Sequence, residues 1–193
     1  MASNWLVTAC GTAAIAMSGS AALSDVIVDV PPSGFAMLST QTGLQGDAGA
    51  SDWWDAAESG AVMTNWAGET LTYVFDAGPT PTLTMLGVTA KNFWGPLPTT
   101  YSTFEVAVSV DGAYVDTLHI LASDTQWNTG WVNIGVRGGP VTITVAWLND
   151  AWEPGVADAN IGVGAVSLAS VPSAGSISLA SLGLLLSGTR RRR

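Results

Sequence analysis

The sequence predicts an all-β protein, an antiparallel β-sandwich of jelly-roll type. Three observations predict it. Apolar and polar residues alternate with period two in long faultless runs, as in Phe104-Glu-Val-Ala-Val-Ser-Val110 and Val141-Thr-Ile-Thr-Val-Ala-Trp147, which is the pattern of a half-buried strand. Turn residues separate these runs at short intervals: Pro31-Pro32, Asp76-Ala-Gly78-Pro79, Asp111-Gly112, Gly138-Gly-Pro140 and Glu153-Pro-Gly155. Helical periodicity is hard to find between residues 23 and 170, where eight or nine short strands with half-polar faces fit a two-sheet antiparallel core.

Taken in order, Asp25–Val30 is a first β-branched run, and residues 39–67 read as a long loop with Gly43, Gly46, Gly49 and Gly60. Ala56 to Ser59 suits one helical turn inside it. Strands are expected at Leu71–Phe75, Leu83–Met85, Phe104–Val110, Tyr114–Leu121, Trp131–Val136, Val141–Trp147 and Ile161–Leu168. Asp111-Gly112 between two alternating runs predicts a hairpin with a type I′ turn, because both central positions of that turn require positive φ.

Composition excludes several functions. The chain has 193 residues and a formal charge of −9. All fifteen acids lie between Asp25 and Asp158, whereas four of the six basic residues are Arg190 to Arg193. The body therefore carries only Lys91 and Arg137 against fifteen acids, a formal charge of −13. Such a surface has no basic patch to neutralise phosphates, so no nucleic acid is expected as a partner. One cysteine, Cys10, cannot form an internal disulfide or a cysteine-based zinc site.

The ends read as addresses. Residues 1–22 are apolar, rich in small residues and closed by Ser18-Gly-Ser-Ala-Ala22, the composition of a secretory signal peptide. Residues 23–170 form the expected ectodomain. Residues 171–193 carry Val171-Pro172, an uncharged apolar run and the arginine tail Arg190, Arg191, Arg192 and Arg193. Ala174 to Thr189 would reach roughly 24 Å as a helix, short for a bilayer core of about 30 Å but extensible by snorkelling arginines. Arginines on one flank place that flank in the cytoplasm and the rest outside. This tripartite tail resembles the PEP-CTERM sorting signal of bacterial surface proteins, with Ser173-Ala-Gly175 where that signal has Glu-Pro. The resemblance implies an exported protein, a membrane-inserted helix and an exosortase-type processing enzyme as partner.

One loop concentrates oxygen ligands: Asn149-Asp150-Ala-Trp152-Glu153-Pro-Gly-Val-Ala-Asp158-Ala-Asn160, directly after a core strand. Hard cations such as Ca2+ take several oxygens in irregular geometry, so such a loop can hold one. The flanking pieces sharpen the expectation. Ser109-Val-Asp111-Gly-Ala-Tyr-Val-Asp116, Gly138-Gly-Pro-Val-Thr-Ile-Thr-Val145, Trp147-Leu-Asn149-Asp150 and Asp158-Ala-Asn160-Ile-Gly-Val163 are similar to Ca2+-dependent carbohydrate-binding modules of the xylan-binding kind. The similarity covers about residues 69–168. It implies Ca2+ held by Asp150 and Asp158, with the Trp152 carbonyl and the Asn160 side chain as further ligands, and a polysaccharide or exopolysaccharide as partner.

Tryptophan is the second signal. Trp53, Trp54, Trp94, Trp127 and Trp152 fall in segments read as loops, where an indole face can stack on a pyranose ring; Trp66, Trp131 and Trp147 are expected in the core. Catalysis has less support. The single His119 lies on an expected strand, and neither a nucleophile elbow nor a metalloprotease helix motif is present. The expected function is thus non-catalytic glycan binding at the cell surface or in its matrix. A structural coat protein without a soluble ligand, and a small glycosidase using two carboxylates, are the alternatives.

Overall fold

The computed structural model describes residues 30–43, 53–55 and 60–171. The expected signal segment, Pro172 and the arginine tail lie outside these residues, as do the turn at Ala56 to Ser59 and most of the Asp25–Val30 run. Among the described residues no helix is long and apolar enough to cross a membrane.

The described chain is all-β and antiparallel. Its strands are β1 (Ala36–Gln41), β2 (Trp54–Asp55), β3 (Val62–Thr64), β4 (Thr70–Asp76), β5 (Thr82–Asn92), β6 (Thr103–Val110), β7 (Ala113–Leu121), β8 (Asn128–Arg137), β9 (Pro140–Trp147), β10 (Trp152–Glu153), β11 (Ala157–Asp158) and β12 (Ile161–Ser170). They build a six-stranded sheet in the order β2-β3-β12-β5-β8 with β1 also on β12, a four-stranded sheet in the order β4-β9-β6-β7, and a small β10–β11 ribbon. The two-sheet sandwich expected from the alternation is present.

Alternation fixes which residues meet. Leu71, Tyr73 and Phe75 of β4, Phe104, Val106 and Val108 of β6, and Val141, Ile143, Val145 and Trp147 of β9 point inward from the four-stranded sheet. Leu86, Val88 and Ala90 of β5 and Ile161, Val163, Val166 and Leu168 of β12 meet them from the other. The polar partners of β4 and β9 lie on the opposite face, where the Thr72 and Thr144 hydroxyls bond across the pair at 3.2 Å. β6 and β7 are joined by Asp111-Gly112, both at positive φ (51° and 80°), as the type I′ turn requires. The Asp111 carboxylate accepts the Thr142 N–H at 2.9 Å and ties this turn to β9.

Four sequence expectations change. Leu83–Met85 belongs to an eleven-residue strand, because its continuation is buried on both faces and therefore loses period-two patterning. The long loop at 39–67 contains the end of β1 and all of β2 and β3, short strands that acquire partners only by pairing with β12 or with each other. Trp66 is not a core residue: it is 58% exposed in the β3–β4 turn. Trp147 is buried edge-on against Phe104, as expected, whereas Trp131, also expected in the core, lies half-buried on the outer face of the larger sheet, opposite Gly87.

That outer face is built around missing side chains. A Cβ on Gly87 would lie 2.8 Å from the Trp131 ring, and one on Gly162 would enter the Phe93 ring. Glycine is needed here so that the aromatic rings can lie flat on the sheet. Gly87→Ala is expected to dislodge Trp131 and cost about 1–3 kcal/mol. The loss should be read as a lower midpoint in urea with an unchanged slope and an altered near-UV circular dichroism signal.

Candidate functional site

Antiparallel pairing collects four connections at one end of the sandwich. β3 ends and β12 begins at the pair Thr64 and Ile161; β5 ends at Asn92 beside Ile161, and β8 begins next to β5 at Asn128. Leu121 of β7 faces Thr103 of β6, and β9 ends at Trp147 beside Val106. The β3–β4, β5–β6 and β7–β8 connections and the segment 148–160 therefore share this end. Three of the expected site tryptophans, Trp94, Trp127 and Trp152, and the three acids of the Asn149–Asn160 loop come with them.

Asn149 is a structural residue. Its Oδ1 accepts from the Glu105 N–H at 2.8 Å, the Trp147 indole N–H at 3.0 Å and the Tyr101 hydroxyl at 3.0 Å, and its Nδ2 donates to the Thr103 carbonyl at 2.8 Å. The amide oxygen thus takes three donors and the amide nitrogen gives one hydrogen bond, all within the protein. Asp150, the next residue, is exposed. Its carboxyl is held above the usual carboxylate range, first by partial desolvation and then by the charge of Asp158; a hydrogen bond from the Ala151 backbone opposes the shift. Two carboxylates near enough to repel form a site that a cation would stabilise.

Asp158 and Trp152 face each other across the β10–β11 ribbon, in register as directly opposed residues. Their side chains share one face. The ribbon turns at Pro154-Gly155, with Gly155 at φ 70° and the Val156 N–H donating to the Glu153 carbonyl at 3.0 Å. The Asp158 N–H donates outward to the Pro96 carbonyl at 3.2 Å, which joins the ribbon to the β5–β6 connection. Between them lies an open groove of about 240 Å3, lined by Gly95, Pro96, Trp152, Glu153, Val156 and Asp158.

Asn160 is completely buried. Its Nδ2 donates to the Trp94 and Asp158 carbonyls, both at 3.3 Å, which sets the orientation of the amide, and its Oδ1 is buried with no hydrogen-bond partner. A buried acceptor left without a donor is uncommon and costly. A carbonyl oxygen of this kind suits a hard cation. Against that, no group of three or more His, Cys, Asp or Glu side chains converges among the described residues. Glu153 therefore does not complete a carboxylate triad with Asp150 and Asp158, and most of the oxygens of any cation site would come from amides, backbone and water.

The five expected stacking tryptophans separate. Trp94 is 67% exposed and Trp152 69% exposed. Trp53 is a correction: at 6% exposure it belongs to the hydrophobic core and offers no face to a ligand. The physical reason is that β2 and β3 extend the larger sheet beside β12 and so place the preceding residue against the core, where an indole gains far more from burial than in solvent. Trp127 is half-buried, 5.7 Å from the Phe93 ring and with the Lys91 Nζ 5.2 Å from its own ring centre, so its aromatic surface is used within the protein. Trp54 lies in β2, opposite Met63.

Trp94 has a second peculiarity. Its φ is 62°, the left-handed region, where bulky side chains are outliers. Such a residue costs on the order of 1–3 kcal/mol and persists only when its surroundings impose it. Those surroundings include Asn92 and Asp124, which the sequence reading did not select. A side chain such as Asn92, which bridges three connections, has no local signature in the sequence.

No family model matches the chain, and no curated protein is significantly similar to it. Among solved structures it is similar to the family 35 carbohydrate-binding module from Cellvibrio japonicus Abf62, at 14% identity over 70% of this chain and 86% of that one, with a TM-score of 0.43. It is similar to the CBM36-1 domain of a multidomain xylanase from the hindgut metagenome of Trinervitermes trinervoides, at 10% identity over 55% and 75%, TM-score 0.42. It is similar to the carbohydrate-binding module CBM36 in complex with calcium and xylotriose, at 12% identity over 69% and 91%, TM-score 0.41. These similarities are low in sequence and partial in backbone path.

The repulsion between the acids has a measurable consequence. Because the folded-state carboxyl of Asp150 sits above its unfolded value, its ionised form opposes folding at neutral pH; that penalty begins to shrink as pH falls through the folded value and is gone only below the unfolded value. Asp150→Asn is expected to raise Tm slightly in chelator at pH 7 and to leave it unchanged at a pH below the Asp150 titration. Thermal unfolding at the two pH values checks both signs.

Proposed function

We propose that this chain is an exported bacterial surface or matrix protein whose jelly-roll-type sandwich binds a glycan non-catalytically at the loop end. The observation that carries the reading is the groove between the β5–β6 connection and the β10–β11 ribbon. The exposed Trp152 lines it, Asp158 shares that tryptophan's face, and the exposed Trp94 directly precedes Gly95 on its other wall. An indole face stacks on the apolar face of a pyranose, while a carboxylate accepts hydroxyl hydrogen bonds beside it. An open, shallow groove suits a chain of sugars better than a small enclosed metabolite.

Calcium is part of this proposal. Asp150, Asp158 and the Asn160 Oδ1, with the Trp152 carbonyl, are the oxygens that would hold it. The raised Asp150 carboxyl and the unpartnered Asn160 oxygen are the features that support it. Bound there, the cation would neutralise the two acids and polarise sugar hydroxyls.

Residues 1–22 would direct export, and residues 171–193 would anchor the ectodomain until an exosortase-type enzyme removes the tail. Mass spectrometry of the protein recovered from the cell surface tests this: loss of both segments supports it, and an intact chain in the cytosol contradicts it.

The binding experiment is calorimetry of the full chain against a panel of xylan-type and other neutral oligosaccharides, with Ca2+ and with chelator. Binding that requires Ca2+ supports the whole reading. Binding in chelator supports the glycan site and removes the metal. No binding by any glycan and no Ca2+ uptake overturns it. Trp152→Ala is expected to weaken binding about tenfold without changing Tm, whereas Asp158→Asn is expected to abolish the Ca2+ response.

A further inference from the structure

Trp94 lies in the left-handed region, and Gly95 after it also has positive φ, at 86°. Glycine adopts this conformation readily and tryptophan does not. The turn must therefore be imposed from outside. The hydrogen bonds around it identify what imposes it.

Asn92, almost fully buried at the end of β5, is connected on all sides. Its Nδ2 donates to the Gly95 carbonyl at 2.9 Å and to the Asp124 carboxylate at 2.7 Å. Its Oδ1 accepts the Asn160 N–H at 2.8 Å, and its own backbone N–H donates to the Ser123 carbonyl at 2.8 Å. Asp124, from the β7–β8 connection, also accepts the Leu97 N–H at 3.2 Å. The turn that carries Trp94 is thus held at Gly95 by Asn92 and beyond it, at Leu97, by Asp124. Asn160 completes the attachment: its carbonyl accepts the Phe93 N–H at 2.9 Å, and its Nδ2 donates to the Trp94 carbonyl at 3.3 Å.

We propose that Asn92 and Asp124 are positioning residues that hold the Trp94 turn in its left-handed conformation and lock it to Asn160. Trp94 is thereby a preformed platform for a sugar ring, coupled mechanically to the Asp158–Asn160 segment. The proposal deepens the glycan-binding reading and rests on it for the ligand, but the conformational clamp is independent of any ligand. Preorganisation of this kind improves affinity by removing the cost of ordering a loop on binding. The residue that sets it need not touch the sugar.

Asp124 is exposed and lies in a connection, so its replacement spares the core. The experiment labels the full chain with 5-fluorotryptophan and assigns the Trp94 and Trp152 resonances by Trp94→Phe and Trp152→Phe. In Asp124→Ala the Trp94 resonance is expected to shift or broaden, while those of Trp152 and the core tryptophan Trp147 stay in place. Asp124→Asn, which keeps an acceptor oxygen, is expected to restore it. Oligosaccharide affinity should fall about tenfold in the alanine variant and recover in the asparagine variant. A Trp94 resonance unchanged in Asp124→Ala overturns the clamp, as does movement of the Trp147 resonance together with it, which marks general destabilisation. If the wild-type chain binds no glycan, the binding reading fails, and the fluorine spectra still decide the clamp. Should Asp124→Ala not fold, Asn92→Ser, which shortens the bridge to Gly95 and Asp124, is expected to shift the same single resonance; an unchanged spectrum would overturn the proposal equally.

Discussion

The burial of β12 on both faces is the constraint from which the rest of the structure follows. All ten of its residues are buried. It pairs with β5 along its length, with β3 at its start and with β1 at its end. A strand in that position needs large side chains toward the core and small ones on the other face. Ile161, Val163, Val166 and Leu168 meet the first demand; Gly162, Ala165, Ser167 and Ala169 meet the second. The register shift between Val163 and Ala165 takes up Gly164 as an extra residue and keeps the later apolar residues on the core side.

The loop end that carries Trp94 and Trp152 inherits its geometry from the start of this strand. Asn160 is the residue before β12. Its backbone joins the end of β5 through Phe93 and Asn92, and its side chain reaches the carbonyls of Trp94 and Asp158. A residue so placed connects the aromatic turn to the acidic ribbon. The electrostatics point the same way. In a body of formal charge −13, two neighbouring carboxylates find no basic residue within the segment 148–160 to compensate them. Neutral sugars and a hard cation are compatible with that environment; anionic ligands without a cation are not.

Legibility in the sequence followed how local each cause is. The Asp111-Gly112 turn and the runs at 104–110 and 141–147 were readable because turn chemistry and period-two alternation are properties of a few consecutive residues. β1, β2 and β3 were not, since each is short and exists through a partner distant in sequence. Tryptophan exposure was legible least. Trp53 looked like a loop residue and is in the core, while Trp66 looked like a core residue and is exposed. A tryptophan's own neighbours do not record which strand will cover it.

The amino-acid sequence by itself determined the fold class, the positions of the alternating strands, the acidic character of the body and the clustering of oxygen-bearing side chains between Asn149 and Asn160. All of these arise from local pattern and composition. Only the tertiary structure decided that Asn149 is consumed by structural hydrogen bonds, that Asn160 is buried with an unpartnered oxygen, and that Trp94 and Trp152 are the exposed rings. Only it brought Asn92 and Asp124 together, 32 residues apart, at 2.7 Å. The reason is physical: burial and hydrogen-bond partnership depend on which segments approach one another in space, and β-sheet pairing brings together segments that no local pattern connects.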